Sequence, residues 1–252
     1  KGLNRLTLFG SGDVAYKSFY GMSSLEGELN IPSGANTIEG YAFSGCGFHN
    51  IKFGTSVTLK EGAFENCKRL NGTINLENIL EFPKRIFYGC SNLQSITFDY
   101  GFSTALPVFE RSAFEDCSSL NFYFEMPQTK PPRPPPPPSS STYTFNKYVF
   151  SGCSKLDGIN GLLYIPKYVD KVDDYAFRDC AFTRLEFEER DSGKSLIIGT
   201  GAFQGCSKLT YDLILPEIQD IYQNDKIPDR AFSGCSGLQS IEYKDSIDTI
   251  GK

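Results

Sequence analysis

The chain has no tryptophan, only two methionines and one histidine, His49, in 252 residues. A single histidine removes any histidine-based metal cluster, and nucleophilic catalysis with an imidazole base would have to recruit His49. That residue lies in the segment FHNIKF with no nucleophile and carboxylate patterned around it, so a solvated histidine is the expected reading. No two cysteines stand closer than 21 residues, so no C-x-x-C knuckle exists for zinc. Positive charge is not in excess: 25 Lys and Arg against 30 Asp and Glu give a net charge of −5, without the basic footprint of a nucleic-acid binder. No apolar run reaches the ~18–20 residues of a membrane span. A phosphate-cradling glycine loop is also missing. The chain opens at Lys1 without a basic-then-apolar leader, so it shows no readable address.

Phenylalanine is abundant at 21 residues, with eight cysteines, and the two are coupled. Nine times a phenylalanine is followed three positions later by cysteine or its stand-in: Phe19/Met22, Phe43/Cys46, Phe64/Cys67, Phe87/Cys90, Phe114/Cys117, Phe150/Cys153, Phe177/Cys180, Phe203/Cys206 and Phe232/Cys235. The cysteine spacings are 21, 23, 27, 36, 27, 26 and 29, mostly in or near the 20–29-residue period of leucine-rich repeats. Five residues before every one of these phenylalanines stands an apolar residue, from Val14 and Ile38 to Ile198 and Ile227. Two or three residues after the cysteine comes another apolar anchor, such as Leu70, Leu93 or Phe182.

A short period-two stretch follows that anchor, and alternation over four to six residues predicts a half-buried strand. A shorter version is seen at Ile51/Phe53, Ile96/Phe98, Leu185/Phe187 and Ile241/Tyr243; a version one residue longer is seen at Leu29/Ile31, Ile74/Leu76, Phe124/Met126 and Leu213/Leu215. The two alternate except around the 36-residue gap, which makes a pair of repeats the candidate building unit. Stacking is required because one such unit cannot bury its apolar face alone. Each buried phenylalanine then contributes roughly 1.5–3 kcal/mol.

The cysteines are read as small buried thiols rather than disulfides. Neighbours in a parallel ladder would lie roughly 4.8 Å apart with side chains pointing the same way, a poor match to the ~90° disulfide dihedral. Met22 in the same slot fits packing and cannot fit a bridge. Buried thiols leave the redox compartment open. Pairs such as Asp173–Asp174 and Glu188–Glu189 fall in predicted turns or edges, where solvated charge is the default. The glycines before cysteine, such as Gly45 and Gly205, read as turn residues. Asn71-Gly72-Thr73 matches a glycosylation acceptor, a weak three-residue signal.

The pattern Ala-Phe-x-x-Cys-x-x-Leu-x-x-Ile-x-Phe, clearest at Ala231–Tyr243 and repeated over nearly the whole chain, resembles the BspA-type leucine-rich repeats of bacterial and protist surface proteins. The resemblance implies a repeat solenoid, right-handed, with short parallel strands on the concave face and turns and short helical segments elsewhere. It also implies display at the cell surface and adhesion to host or neighbouring proteins. Residues 1–252 are read as one solenoid of about nine repeats, cut mid-repeat at both ends, with a proline- and serine-rich insertion at 127–143. Polyproline conformation is expected at Pro131–Pro132 and Pro134–Pro138.

If the strand alternation holds, the residues between the buried ones form the binding face. The candidates are Asn50, Lys52, Asn75, Thr97, Tyr123, Glu125, Arg184, Glu186, Ile214 and Glu242, with Tyr123, Tyr143 and Tyr148 as possible aromatic anchors. The expectation is a non-enzymatic, extracellular or surface-displayed, monomeric protein-binding module with no cofactor, no nucleic-acid partner and no membrane span in this segment. The alternatives are an intracellular scaffold whose proline loop recruits a polyproline-binding domain, and a passive spacer.

Overall fold

The structure is a computed structural model, and it describes residues 5–54, 57–76, 79, 81–97, 108–121, 143–158, 160–191, 193–219, 226–243 and 249–250. The chain divides into two compact units, Lys1–Phe122 and Tyr123–Lys252. In the first, the strands are β1 (Gly12–Val14), β2 (Glu28–Ile31), β3 (Ala35–Ile38), β4 (Asn50–Phe53), β5 (Thr58–Leu59), β6 (Thr73–Asn75), β7 (Glu81–Phe82), β8 (Ser95–Thr97) and β9 (Val108–Phe109). In the second they are β10 (Tyr143–Phe145), β11 (Leu162–Ile165), β12 (Val169–Val172), β13 (Arg184–Phe187), β14 (Leu196–Ile198), β15 (Leu213–Leu215), β16 (Ile218–Gln219), β17 (Lys226–Ile227), β18 (Ile241–Tyr243) and β19 (Thr249–Ile250). Each unit is a parallel β-solenoid. Among the described residues, all strand pairing is parallel, between one coil and the next. Among the described residues there is no helix, so the short helical segments expected beside the turns are turns alone.

The apolar residue five places before each phenylalanine ends a strand of its own: Val14, Ile38, Leu59, Phe82, Phe109, Phe145, Val172, Ile198 and Ile227 close β1, β3, β5, β7, β9, β10, β12, β14 and β17. These strands form sheets such as β1-β3-β5 and β10-β12-β14, the latter extended by β16. The strands after the cysteine form a second set, and they pair two by two: β2 with β4, β6 with β8, β11 with β13 and β15 with β18. Each of these pairs joins a long version to the following short one. The extra residue of the long version falls just ahead of the ladder, whose own register runs without a break. Gly72 O accepts from both Gln94 N (3.3 Å) and Ser95 N (3.0 Å), and Gly161 O accepts from Thr183 N (2.8 Å) and Arg184 N (2.9 Å). Gly72 and Gly161 have φ of 75° and 83°, the left-handed region that glycine enters at no steric cost.

Between the two strand sets the Phe-x-x-Cys segment is a tight turn. The phenylalanine carbonyl accepts the cysteine N–H three residues on, as in Cys90 N→Phe87 O (3.1 Å). The residue before cysteine, Gly21, Gly45, Asn66, Gly89, Asp116, Gly152, Asp179, Gly205 or Gly234, has a positive φ of 56–78° every time. Gly, Asn and Asp, which enter left-handed backbone most readily, fill this position. A second left-handed residue lies two places before the phenylalanine, with φ of 54–63° at Lys17, Tyr41, Gly62, Arg85, Ser112, Tyr148, Tyr175, Gly201 and Arg230. No β-branched residue occupies it, as the steric cost of left-handed backbone demands.

These turns are themselves stitched coil to coil. Phe43 N donates to Ala63 O, Phe87 N to Ala113 O and Phe177 N to Ala202 O, all at 2.9 Å. The rings stack in line: Phe19–Phe43, Phe43–Phe64, Phe64–Phe87 and Phe87–Phe114 at 5.2–5.7 Å in the first unit. In the second, Phe150–Phe177, Phe177–Phe203 and Phe203–Phe232 lie at 5.5–5.8 Å.

The cysteines complete this ladder. All eight are buried and free. The thiol donates to the phenylalanine carbonyl of the preceding coil: Cys67 Sγ to Phe43 O, Cys90 Sγ to Phe64 O, Cys117 Sγ to Phe87 O and Cys206 Sγ to Phe177 O, each at 3.1 Å. The carbonyl thus uses one lone pair on its own turn and the other on the next coil's thiol. Cysteine is small enough for the site and still carries a donor. Burial pushes the Cys46 and Cys235 thiols up to about 11 and those of Cys67, Cys90 and Cys180 well above their ordinary value, so they are poor nucleophiles.

Candidate functional site

The outward positions of the second strand set fall where the alternation placed them. In the first unit, Leu29, Ile31 and Ile51 are buried, and Glu28, Asn30, Asn50 and Lys52 stand between them. The parallel register sets Glu28 beside Asn50 and Asn30 beside Lys52. Glu28 accepts from Asn50 Nδ2 (3.1 Å) and pairs with Lys52 Nζ (3.0 Å). Lys52 first, then Asn50, holds the Glu28 carboxyl below the usual carboxylate range. Asn50 Oδ1 is shut off from solvent with no partner. On the next pair, Thr73 and Asn75 lie beside Ser95 and Thr97. Thr73, Asn75 and Thr97 are exposed.

In the second unit, Arg184 and Glu186 point outward from β13, 4.0 Å apart. The register places them beside Leu162 and Tyr164 of β11, two positions absent from the expected row. Their signal was present in Leu163-Tyr164-Ile165-Pro166, an alternating run that ends in proline like Leu29–Pro32. Ile214 stands opposite Glu242, and Ser240 Oγ donates to Asp212. Tyr123 and Glu125 lie outside the described residues, as does the segment 127–142. Tyr143 and Tyr148 are half-buried: Tyr143 packs edge-on against Tyr168 at 6.0 Å, and Tyr148 stacks on Tyr175 at 5.1 Å. Asp173 and Asp174 are not the solvated charges expected. Asp174 accepts Thr200 N (2.9 Å) and Lys147 Nζ (2.9 Å), and Asp173 pairs with Lys171 (3.0 Å), because their turn must satisfy backbone donors of the next coil.

The pairwise ladders leave a boundary between β13 and β15. Thr210 N donates to Thr183 O at 3.1 Å ahead of both strands, but no ladder joins the strands themselves among the described residues. A groove of about 630 Å³ opens here, within the ~300–1,000 Å³ range of ligand sites. Arg184, Glu186 and Glu188 line one side, and Tyr211, Asp212, Ile214 and Glu217 the other. Tyr211 and Ile214 are 61% and 52% exposed, unusual for side chains of their size. Arg190 also lines the groove; its guanidinium is buried and donates from Nη2 to Val169 O (2.7 Å), while Nε and Nη1 have no hydrogen-bond partner among the described residues. Burial first of all lowers its pKa, opposed by Asp170.

Among the described residues, no group of three metal-ligating side chains comes together, and no helix is long and apolar enough to cross a membrane. His49 is exposed, and its carbonyl accepts Asn71 N (3.0 Å).

Comparison with curated proteins gives no match. Among solved structures, the chain is similar to a leucine-rich repeat protein from Bacteroides ovatus ATCC 8483, with a TM-score of 0.61 and 20% identity over 95% of this chain and 60% of that one. It thus spans about 60% of that protein's length. A leucine rich cell surface protein from Faecalibacterium prausnitzii A2-165 aligns at 17% identity and a TM-score of 0.36 over 92% of this chain and 76% of that one. Residues 13–130 and 138–252 match the BspA type leucine rich repeat region, in six copies. With the ladder of phenylalanines and thiols in place, the chain belongs to the BspA-type leucine-rich repeat family.

Proposed function

We propose that this chain is a non-enzymatic protein-interaction module of an extracellular or surface-displayed protein, binding host matrix or neighbouring cell-surface proteins through the outward rows of its second strand set. The observation that carries this reading is the outward register itself. Buried alternate residues fix side chains such as Lys52, Thr97, Arg184, Glu186 and Ile214 on stiff, hydrogen-bonded strand pairs. A face held in this way loses little side-chain and loop freedom on binding, which is where solenoids gain affinity for extended partners.

The test is saturable binding of the purified chain to a panel of immobilised matrix and cell-surface proteins, measured by biolayer interferometry. Binding that weakens when Lys52, Thr97 and Glu186 are each replaced by Ala supports the reading. No saturable binding across the panel would favour a passive spacer.

A further inference from the structure

The groove between β13 and β15 has a chemistry of its own, and the geometry points to a cationic, extended peptide segment of the partner as its occupant. This inference rests on the interaction-module reading and narrows it to one site and one partner class. Six carboxylates line the groove, those of Glu186, Glu188, Glu189, Asp191, Asp212 and Glu217, against three cations, Arg184, Arg190 and Lys194. Each cation already has a partner: Arg184 has Glu186 (4.0 Å), Lys194 has Asp191 (3.9 Å), and the buried Arg190 has Asp170 (3.9 Å) and, through Nη2 alone, the Val169 carbonyl, its Nε and Nη1 being without a hydrogen bond among the described residues.

Among the described residues, two carboxylates have only neutral donors beside them: Asp212 accepts the Ser240 hydroxyl, and Glu217 accepts the Ser195 hydroxyl (3.0 Å). They flank the two exposed apolar side chains Tyr211 and Ile214. A lysine or arginine side chain matches this lining, laying its aliphatic stem on Tyr211 or Ile214 and its charge near the carboxylates.

Spacing selects an extended chain over a lone cation. Asp212 and Ile214 face outward two residues apart, roughly 6.6–6.8 Å along a strand, which is also the repeat of same-side residues in an extended peptide. An alternating basic and apolar segment can therefore follow the wall in step. The ladder break that opens the groove arises where a short strand version is followed by a long one, so the site is a consequence of the paired repeat.

Three octapeptides test this against the whole chain by fluorescence anisotropy: alternating lysine and valine, alternating serine and valine, and alternating glutamate and valine. The lysine peptide is expected to bind best, by about tenfold over the serine peptide, and to lose affinity as salt is raised. Asp212→Lys with Glu217→Lys, both on exposed side chains, is expected to reverse the preference toward the glutamate peptide. Ile214→Ala is expected to weaken the lysine and serine peptides alike. Equal binding of all three peptides, binding of none, or an unchanged preference in the charge-reversed variant would overturn the proposal. A panel protein that binds the native and charge-reversed chains equally would also overturn it while leaving the interaction module standing.

Discussion

Replacing Phe177 by alanine removes the side chain on which the second unit's core is centred. Phe177 is 2% exposed and touches four rings: Phe145 at 4.9 Å, Phe150 at 5.7 Å, Phe182 at 5.7 Å and Phe203 at 5.8 Å. Transfer of the ring accounts for roughly 1.5–3 kcal/mol, and lost aromatic pairing adds about 0.5–1.5 kcal/mol per pair that does not re-form. The coil cannot collapse around the gap, because the hydrogen bonds Phe150 N→Ala176 O and Phe177 N→Ala202 O fix both neighbouring turns. The expected loss is therefore about 3–5 kcal/mol, toward the upper end. Phe232, half-buried and stacked on Phe203 at 5.5 Å, should lose only about 1–2 kcal/mol on the same change, since less of the ring leaves water. Urea unfolding followed by far-UV circular dichroism measures both, the chain having no tryptophan to report by fluorescence. A loss below about 1 kcal/mol for Phe177→Ala, or equal losses at the two positions, would refute the stacked-ladder argument.

Three further outcomes are expected. Gly201→Ala places a Cβ 2.5 Å from Tyr175 Cε1 and should destabilise the chain, whereas in the Tyr175→Ala background the same change should cost only about 1–2 kcal/mol, the cost of left-handed backbone; additive losses in a double-mutant cycle would contradict the contact. Cys90→Ala removes a donor from Phe64 O and should cost about 1–3 kcal/mol in denaturant unfolding, although no disulfide is lost. Burial, opposed by the Ser112 hydroxyl and reinforced by Asp116, raises the Glu115 carboxyl above its usual range. A raised folded value means stability that is present below the unfolded value and is lost as pH rises through the folded one. Glu115→Gln should thus be more stable than the native chain at pH 7, with the difference vanishing below about pH 4 in thermal melts; a difference constant with pH would exclude the carboxyl as its source.

Much of the coil was legible because its constraints are chemical and recur nine times. The Phe-x-x-Cys mark, the apolar residue five places earlier and the Gly, Asn or Asp before cysteine each answer one steric demand. The outward row was readable wherever strict alternation marked it, as at Leu29–Ile31 and Leu213–Leu215. β11 escaped because the loop after Leu156 shifts its strand beyond the usual spacing from cysteine. The second left-handed position was hidden because Lys, Tyr, Arg and Ser fill it more often than Gly, and side-chain identity gives no sign of a positive φ there. Nor does residue type show that the thiols donate across coils, or that pairing stops between β13 and β15; both depend on register between residues about 30 apart in sequence. The groove is therefore a property of the stack and not of any one repeat.

The central claim is that the repeated cysteines are core residues which hold one coil to the next. Thiol titration tests it directly: the native chain should react with almost none of its eight cysteines, and the denatured, unreduced chain with all eight. A denatured count near zero would show four disulfides, and rapid labelling of the native chain would show that the thiols are not in the ladder.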